Sequence, residues 1–283
     1  MPLTTAAVDR LPRLRRALRR WYVANHRALP WRTPPNGGAV PPDPYHVLVS
    51  EAMLQQTQVA TVVAYFERFI AAFPTVEALA TADEQQVLRH WQGLGYYRRA
   101  RHLHAAARRI AADHAGRVPD TVDALLALPG VGRYTAGAVA SIAFDRRAPI
   151  LDGNVARVLA RWFAVDELID QPAGRATLWR LAERVLPQRS VGDFNQALME
   201  LGALVCTPSA PKCDTCPVAS LCDAKRAERV AELPRRSPRK VPRAVRHVVA
   251  AVERDGRYLF EQRPGDGLWS NMWQLPTHES LVG

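Results

Sequence analysis

The sequence predicts a mainly α fold through about residue 230, followed by a short β segment. Three observations predict it. Apolar residues recur at helical spacing in one stretch after another. Nothing before residue 240 alternates with period two. After a stretch low in apolar residues, VRHVVAAVE and RYLFEQR flank Asp255-Gly256, the turn dipeptide of a β-hairpin.

Taken in order, residues 9–27 form a basic amphipathic helix with Leu11, Leu14, Leu18 and Tyr22 on one face. Prolines from Pro34 to Pro44 break it. Asp43-Pro44 then reads as an N-cap with proline at the first helical position, and one long helix is expected to about Phe73. Further helices are expected over 76–80, 84–91, 96–115, 121–127, 134–144, 154–163, 175–186 and 193–204, separated by turns bearing Gly, Pro and Asp. AELPRRSPRKVPR, residues 231–243, has the composition of a solvated linker. The roughly forty residues beyond it are too few for an independent β domain.

A chain of 283 residues with 48% apolar and 23% charged residues can build a core, which excludes disorder throughout. There is no run of eighteen apolar residues, and MPLTTAAVDRLPRLRRALRR carries arginines where a signal peptide needs apolar residues; a cytoplasmic protein without a membrane partner is expected. The net charge of +11, in which arginine dominates, suggests a nucleic-acid partner. Genome base content alone can also enrich arginine and alanine.

All four cysteines lie in CTPSAPKCDTCPVASLC: Cys206, Cys213, Cys216 and Cys222, spaced C-x6-C-x2-C-x5-C. Disulfides do not suit a cytoplasmic chain. Zinc ribbons usually pair two C-x2-C knuckles across a longer spacer, whereas one knuckle flanked by single cysteines suits thiolates wrapped round a compact cluster. The spacing favours [4Fe–4S], with zinc the alternative. Lys212, Lys225 and Arg226 stand near enough to meet phosphate.

Four other stretches carry chemistry. LPGVGRYTAGAV places Pro129, Gly130 and Gly132 between two helices, either as an ordinary turn or as backbone N–H groups exposed to an anion. Asp152 in PILDGNVARVL precedes a helix, where an N-cap is the commoner use. Glu51 interrupts an apolar helix, so its carboxyl is either exposed or buried with a raised pKa suited to a general acid. GLGYYRRARHL sets Tyr96 and Tyr97 among arginines, a mixture suited to base stacking and phosphate contact or, for one tyrosine, to the core.

As an ordered set, SEAMLQQTQV, GLGYYRRAR, LPGVGRYTAGA, PILDGNVARV, FNQALMELGALVC and the cysteine loop closely resemble the helix-hairpin-helix DNA glycosylases with an iron–sulfur cluster, and among them the MutY-type adenine DNA glycosylases. The resemblance covers residues 10 to 230 almost without gaps. It implies two helical subdomains flanking a cleft: a six-helix barrel with the hairpin over 28–134, and a cluster subdomain made of 1–27 and 135–230.

The resemblance also implies roles. The hairpin glycines, here Gly130 and Gly132, hold a DNA phosphate, often through a bound monovalent cation. Gln55, with Gln56 beside it, and Tyr96 enter the duplex next to a target adenine that is flipped into a pocket. Glu51 protonates the departing base, Asp152 stabilises the sugar cation, and Asn154 and Tyr134 position it. The implied substrate is double-stranded DNA with adenine opposite 8-oxoguanine or guanine; a nucleoid-associated monomer is expected. Endonuclease III uses a lysine after the hairpin, where this chain has Tyr134, and Lys212, Lys225 and Lys240 are the only lysines. A tyrosine there is also seen in thymine mismatch glycosylases, so G·T repair is the second reading. Residues 244–283 resemble only the opening of a Nudix-like C-terminal domain.

Overall fold

The computed structural model describes residues 9–35, 41–238, 245–265 and 272–281. They fall into two compact units, Met1–Ser237 and Pro238–Gly283. The first is helical. Helix α1 (Leu11–Asn25) buries Leu11, Leu14, Leu18 and Tyr22, the stripe expected from their spacing. Helix α2 (Pro44–Leu54) begins where the Asp43 carboxylate accepts from the Tyr45 N–H at 2.7 Å, with Pro44 in the first turn.

Helix α2 stops at Leu54, and α3 (Val59–Ala72) starts afresh. The single helix expected from Asp43 to about Phe73 is therefore two. Arg99 holds the break. Its guanidinium donates to the carbonyls of Ala52 (3.2 Å), Met53 (2.7 Å) and Gln55 and to Thr57 Oγ1 (3.1 Å), satisfying oxygens that a continuing helix would have bonded internally. The same group reaches the carbonyls of Leu94 (3.3 Å) and Gly95 (3.2 Å). Gln56 takes φ 59° at the bend. Apolar periodicity cannot report a cap supplied by a side chain so far along the chain.

Four helices follow: α4 (Val76–Thr81), α5 (Glu84–Trp91), α6 (Arg98–Asp113) and α7 (Val122–Leu126), with Thr75, Asp83 and Thr121 capping α4, α5 and α7. Helix α8 (Arg133–Phe144) is central. Every residue from Thr135 to Ala143 is buried, and the helix packs against both α2 and α11 (Val191–Leu204). Burial on all sides demands small residues: at Gly137 the Pro149 carbonyl oxygen stands 2.2 Å from where a Cβ would be. Asn195 fastens α11 through Ser141 Oγ (2.8 Å) and the Ala148 carbonyl (2.9 Å). Between α8 and α11 run α9 (Gly153–Trp162) and α10 (Pro172–Val185), and both α1 and α9 pack on α11. The cysteine loop then leads to the short α12 (Asp223–Arg226). Among the described residues no helix is long and apolar enough to cross a membrane.

Residues 231–237 stay on this unit. Leu233 is buried, its carbonyl accepts from Arg161 at 2.8 Å, and the Ile169 N–H donates to the Arg235 carbonyl at 3.0 Å. Residues 239–243 of the expected linker lie outside the described residues.

The described residues of the second unit contain six strands in antiparallel pairs. Strands β2 (Glu253–Arg254) and β3 (Arg257–Tyr258) form the expected hairpin, with Asp255 (φ 53°) and Gly256 (φ 73°) both left-handed. The hairpin is short. Strand β1 (Val245–Val249) pairs instead with β6 (Thr277–Leu281) in the register Val245↔Leu281 to Val249↔Thr277, while β4 (Glu261–Gln262) pairs with β5 (Trp273–Gln274). The run VRHVVAAVE is strand as expected at its start, but its partner lies at the far end of the unit.

Arg99→Met should cost about 3 kcal/mol, because it leaves several helix-end carbonyls without their charged donor. Urea unfolding checks this, and Arg99→Lys should fall between the two. A loss below about 1 kcal/mol would mean that water replaces the guanidinium.

Candidate active site

Helices α2, α8 and α11 and the N-terminus of α9 enclose a cleft of about 570 Å³. Glu51, Gln55, Gln56, Tyr134, Asp152 and Asn154 all line it. Glu51 projects from α2 and is only 4% exposed, and its Oε2 has no hydrogen-bond partner. Burial raises the Glu51 carboxyl to about 7; the Asp152 charge adds to the rise, while the Tyr134 hydroxyl and Arg32 oppose it. The buried reading of Glu51 therefore holds. Tyr134 follows the hairpin on α8, its hydroxyl donates to Met199 Sδ at 3.3 Å, and burial lifts its own pKa far above the ordinary value.

Asp152 is both an N-cap and a cleft residue. One oxygen accepts from the Val155 N–H at 2.7 Å, starting α9, and the other accepts from Asn154 Nδ2 at 3.0 Å. Burial pushes its carboxyl up, and these N–H groups together with Arg157 pull it back. Arg157 continues the chain of contacts, donating to Asn154 Oδ1 (2.8 Å), the Gly202 carbonyl (2.7 Å) and the Cys206 carbonyl (2.6 Å). It fixes the Asp152 turn and the cysteine loop at once.

Of the residues to which the resemblance gives a DNA contact, two line the cleft and three do not. Gln55 and Gln56 stand on its rim at the α2–α3 bend. Tyr96 is 60% exposed with φ 49°, and Arg99 lies 5.4 Å from its ring centre. Gly130 (φ 74°) turns the hairpin, and Gly132 is the residue before α8. Neither glycine lines the cleft; Gly130 borders a smaller hollow with Arg99 and His102.

Sequence reasoning missed Glu200. This carboxylate is fully buried on α11, lines the cleft, and accepts from Arg27 at 2.7 Å and from Arg32 at 2.9 Å. Burial pushes it up, but the two arginines outweigh burial and hold it below the usual range. Gln196, buried beside it with Oε1 unpaired, was missed as well. ALMELGAL carried the signal that marked Glu51, an acid inside an apolar helical run.

The four cysteines are free thiols lining one small cavity with Arg161, Lys212 and Lys225. Among the described residues no three His, Cys, Asp or Glu side chains converge on a single-ion position. Zinc needs its sulfurs about 2.3 Å from one point; sulfurs spread round a common cavity fit a polyatomic core. Burial and neighbouring sulfurs push the Cys216 thiol up to about 11 and raise Cys222 also, so four thiolates gather here only around compensating positive charge. Arg161 supplies part of it, donating to Cys206 Sγ at 3.4 Å.

Residues 206–222 match the iron–sulfur binding domain of endonuclease III, and the loop is an iron–sulfur binding loop. Residues 49–184 match the HhH-GPD superfamily of base excision DNA repair proteins. Fold, cleft and loop thus define a helix-hairpin-helix repair protein with an iron–sulfur loop. The chain is 39% identical to the adenine DNA glycosylase of Mus musculus over 91% of its own length and 59% of the relative's, and 33% identical to that of Buchnera aphidicola subsp. Schizaphis graminum over 93% and 74%. A solved thermostable thymine-DNA glycosylase superposes with TM-score 0.68 at 30% identity, covering 77% of this chain and 98% of that one. The chain belongs to the adenine DNA glycosylase family. It spans about 59% of the length of the mouse relative.

Because folding raises the Glu51 pKa from 4.5 to about 7, its favourable contribution is complete below 4.5 and is lost as pH rises through 7. Relative to wild type, Glu51→Gln should therefore gain about 2 to 3 kcal/mol between pH 5 and pH 8. Denaturant melts at both pH values check this. A second prediction concerns the loop: anaerobically purified protein should be brown, with broad absorbance near about 400 nm and about four irons per chain. Stoichiometric zinc without iron would refute it.

Proposed function

We propose that this protein hydrolyses the N-glycosidic bond of adenine paired with 8-oxoguanine or guanine in double-stranded DNA. One observation carries the reading: a buried carboxyl with one oxygen unpaired and a pKa near 7, Glu51, shares a cleft with Asp152, whose N–H partners suit a carboxylate. A base inside the duplex stack is out of reach, so the nucleotide is flipped into the cleft. Adenine is a poor leaving anion. As the C1′–N9 bond breaks, its electron pair leaves with the base and the Glu51 proton goes to a ring nitrogen. The Asp152 carboxylate faces the developing oxocarbenium ion, and water then adds at C1′ and returns a proton to Glu51. Asn154 and Arg157 orient Asp152. The carboxylate of Glu200 offers an acceptor to an exocyclic amine.

The rest of the reading follows from position. Gln55, Gln56 and Tyr96 enter the duplex beside the flipped base, and Gly130 and Gly132 hold a phosphate, directly or through a monovalent cation. The cleft lies between a barrel over 28–134 and a cluster half made of 1–27 and 135–230. Lys212 and Lys225 border the cysteine cavity, so no described lysine stands in the cleft for imine formation. Thymine removal from G·T pairs is the second reading, favoured by the likeness to the thymine-DNA glycosylase.

Single-turnover excision on A·8-oxoguanine, A·G and T·G duplexes decides between the two; adenine should leave at least tenfold faster than thymine. Glu51→Gln should bind duplex nearly as well as wild type yet cut it slower by about two orders of magnitude or more. The wild-type rate should fall above pH 7 by about tenfold per pH unit, a limb the variant lacks. Rates within threefold of wild type would sink the role of Glu51. Borohydride should trap little covalent adduct, and strong trapping would expose an overlooked amine.

A further inference from the structure

Helix α1 has a face that neither the core nor the cleft uses. The helix carries Arg13, Arg15, Arg16, Arg19 and Arg20 and no acidic residue. Arg15 is occupied, donating to the Val185 carbonyl at 2.8 Å and the Arg184 carbonyl at 3.0 Å at the end of α10. Arg13, Arg16 and Arg20 are exposed on the side opposite Leu11, Leu14 and Leu18, and make no hydrogen bond or ion pair among the described residues. Other surface arginines, Arg109, Arg146, Arg226 and Arg229, meet Asp113, Asp120, Asp223 and Asp166. Like charges three and four residues apart destabilise a helix, so this face carries a small folding cost with no partner among the described residues.

The ends of α1 are fixed. Before it, Arg10 bonds Asp223, next to Cys222, and the Trp162 carbonyl at 3.0 Å; after it, Arg27 bonds Glu200 in the cleft. The helix thus runs from the cysteine loop to the cleft. From Arg13 to Arg20 is about 10 Å of helix, roughly the rise of three phosphates along one DNA strand. Its apolar stripe is already buried in the core, so only cations remain to be offered and insertion into a lipid surface is not available.

We propose that the Arg13–Arg16–Arg20 face of α1 binds the phosphodiester backbone of duplex DNA at a surface separate from the cleft and the hairpin. The guanidinium fork matches phosphate, and the row has a repeat that a folded acidic protein has no reason to share. The inference rests on the proposed activity in taking DNA as the polyanion. Because α1 runs up to the cleft, the DNA it meets is a flanking arm of the duplex held there.

The test compares the full chain with R13Q/R16Q/R20Q. Dissociation constants are measured against salt for a short duplex that only fills the cleft and for a longer one. On the longer duplex the slope of log K against log salt should fall by about 2 to 3, with the melting temperature unchanged or raised. R13K/R16K/R20K should keep most of the slope. If the triple variant does not fold, each single substitution should remove about 1. A difference confined to the longer duplex assigns the flanking arm. A second short duplex bound by wild type at excess DNA, and lost in the variant, overturns the flanking-arm assignment in favour of a second duplex. Equal slopes on both lengths and equal stoichiometry overturn the proposal, as does loss of polyglutamate binding with DNA slopes intact. Adenine excision is read on the same samples: a changed slope without excision by either protein would sink the proposed activity and leave this surface standing.

Discussion

The cleft depends on how closely four helices can approach one another. Helix α8 is walled in by its neighbours, and small residues, Ala, Gly and Ser, at most of its middle positions make that possible; the Pro149 carbonyl occupies the place of a side chain at Gly137. The same economy recurs at Gly202, where a Cβ would stand 2.7 Å from that of Asn154. Backbones in near contact bring Glu51, Tyr134, Asp152 and Glu200 to one cavity from four different elements. A larger residue at either glycine would move a helix, and with it a carboxyl.

Within that frame, the acids are distinguished by their company. Glu51 has no cation bonded to it, and its carboxyl, raised to about 7, still carries its proton in about half of the molecules at neutrality. Glu200 is buried more completely but sits in the grip of Arg27 and Arg32, and remains a carboxylate. Asp152 is raised by burial and restrained by N–H donors. Placement in the fold sets these states more than residue type does, since all three carboxyls share one cavity.

Much of this was legible in the sequence because it is local. Helical periodicity, the Asp43-Pro44 start, the Asp255-Gly256 turn and the cysteine spacing each depend on neighbours within a few positions, and each is found where expected. Two departures from the expected elements have the opposite character. The α2–α3 break is imposed by Arg99 from the start of α6, and the partner of β1 is thirty-odd residues away at Thr277–Leu281. Glu51 and Asp152 lay between, each visible but ambiguous. The cleft resolves both, since Asp152 caps α9 through one oxygen while it lines the cavity.

Arg99 has a mechanical meaning beyond ending a helix. One guanidinium is tied to the backbone before and within the Gln55–Thr57 bend, to the Leu94–Gly95 turn, and lies against the Tyr96 ring. The two turns proposed to press into the duplex on either side of the flipped base are therefore prongs of a single fork with one handle. A displacement of either turn is felt at the other through the planar guanidinium they share.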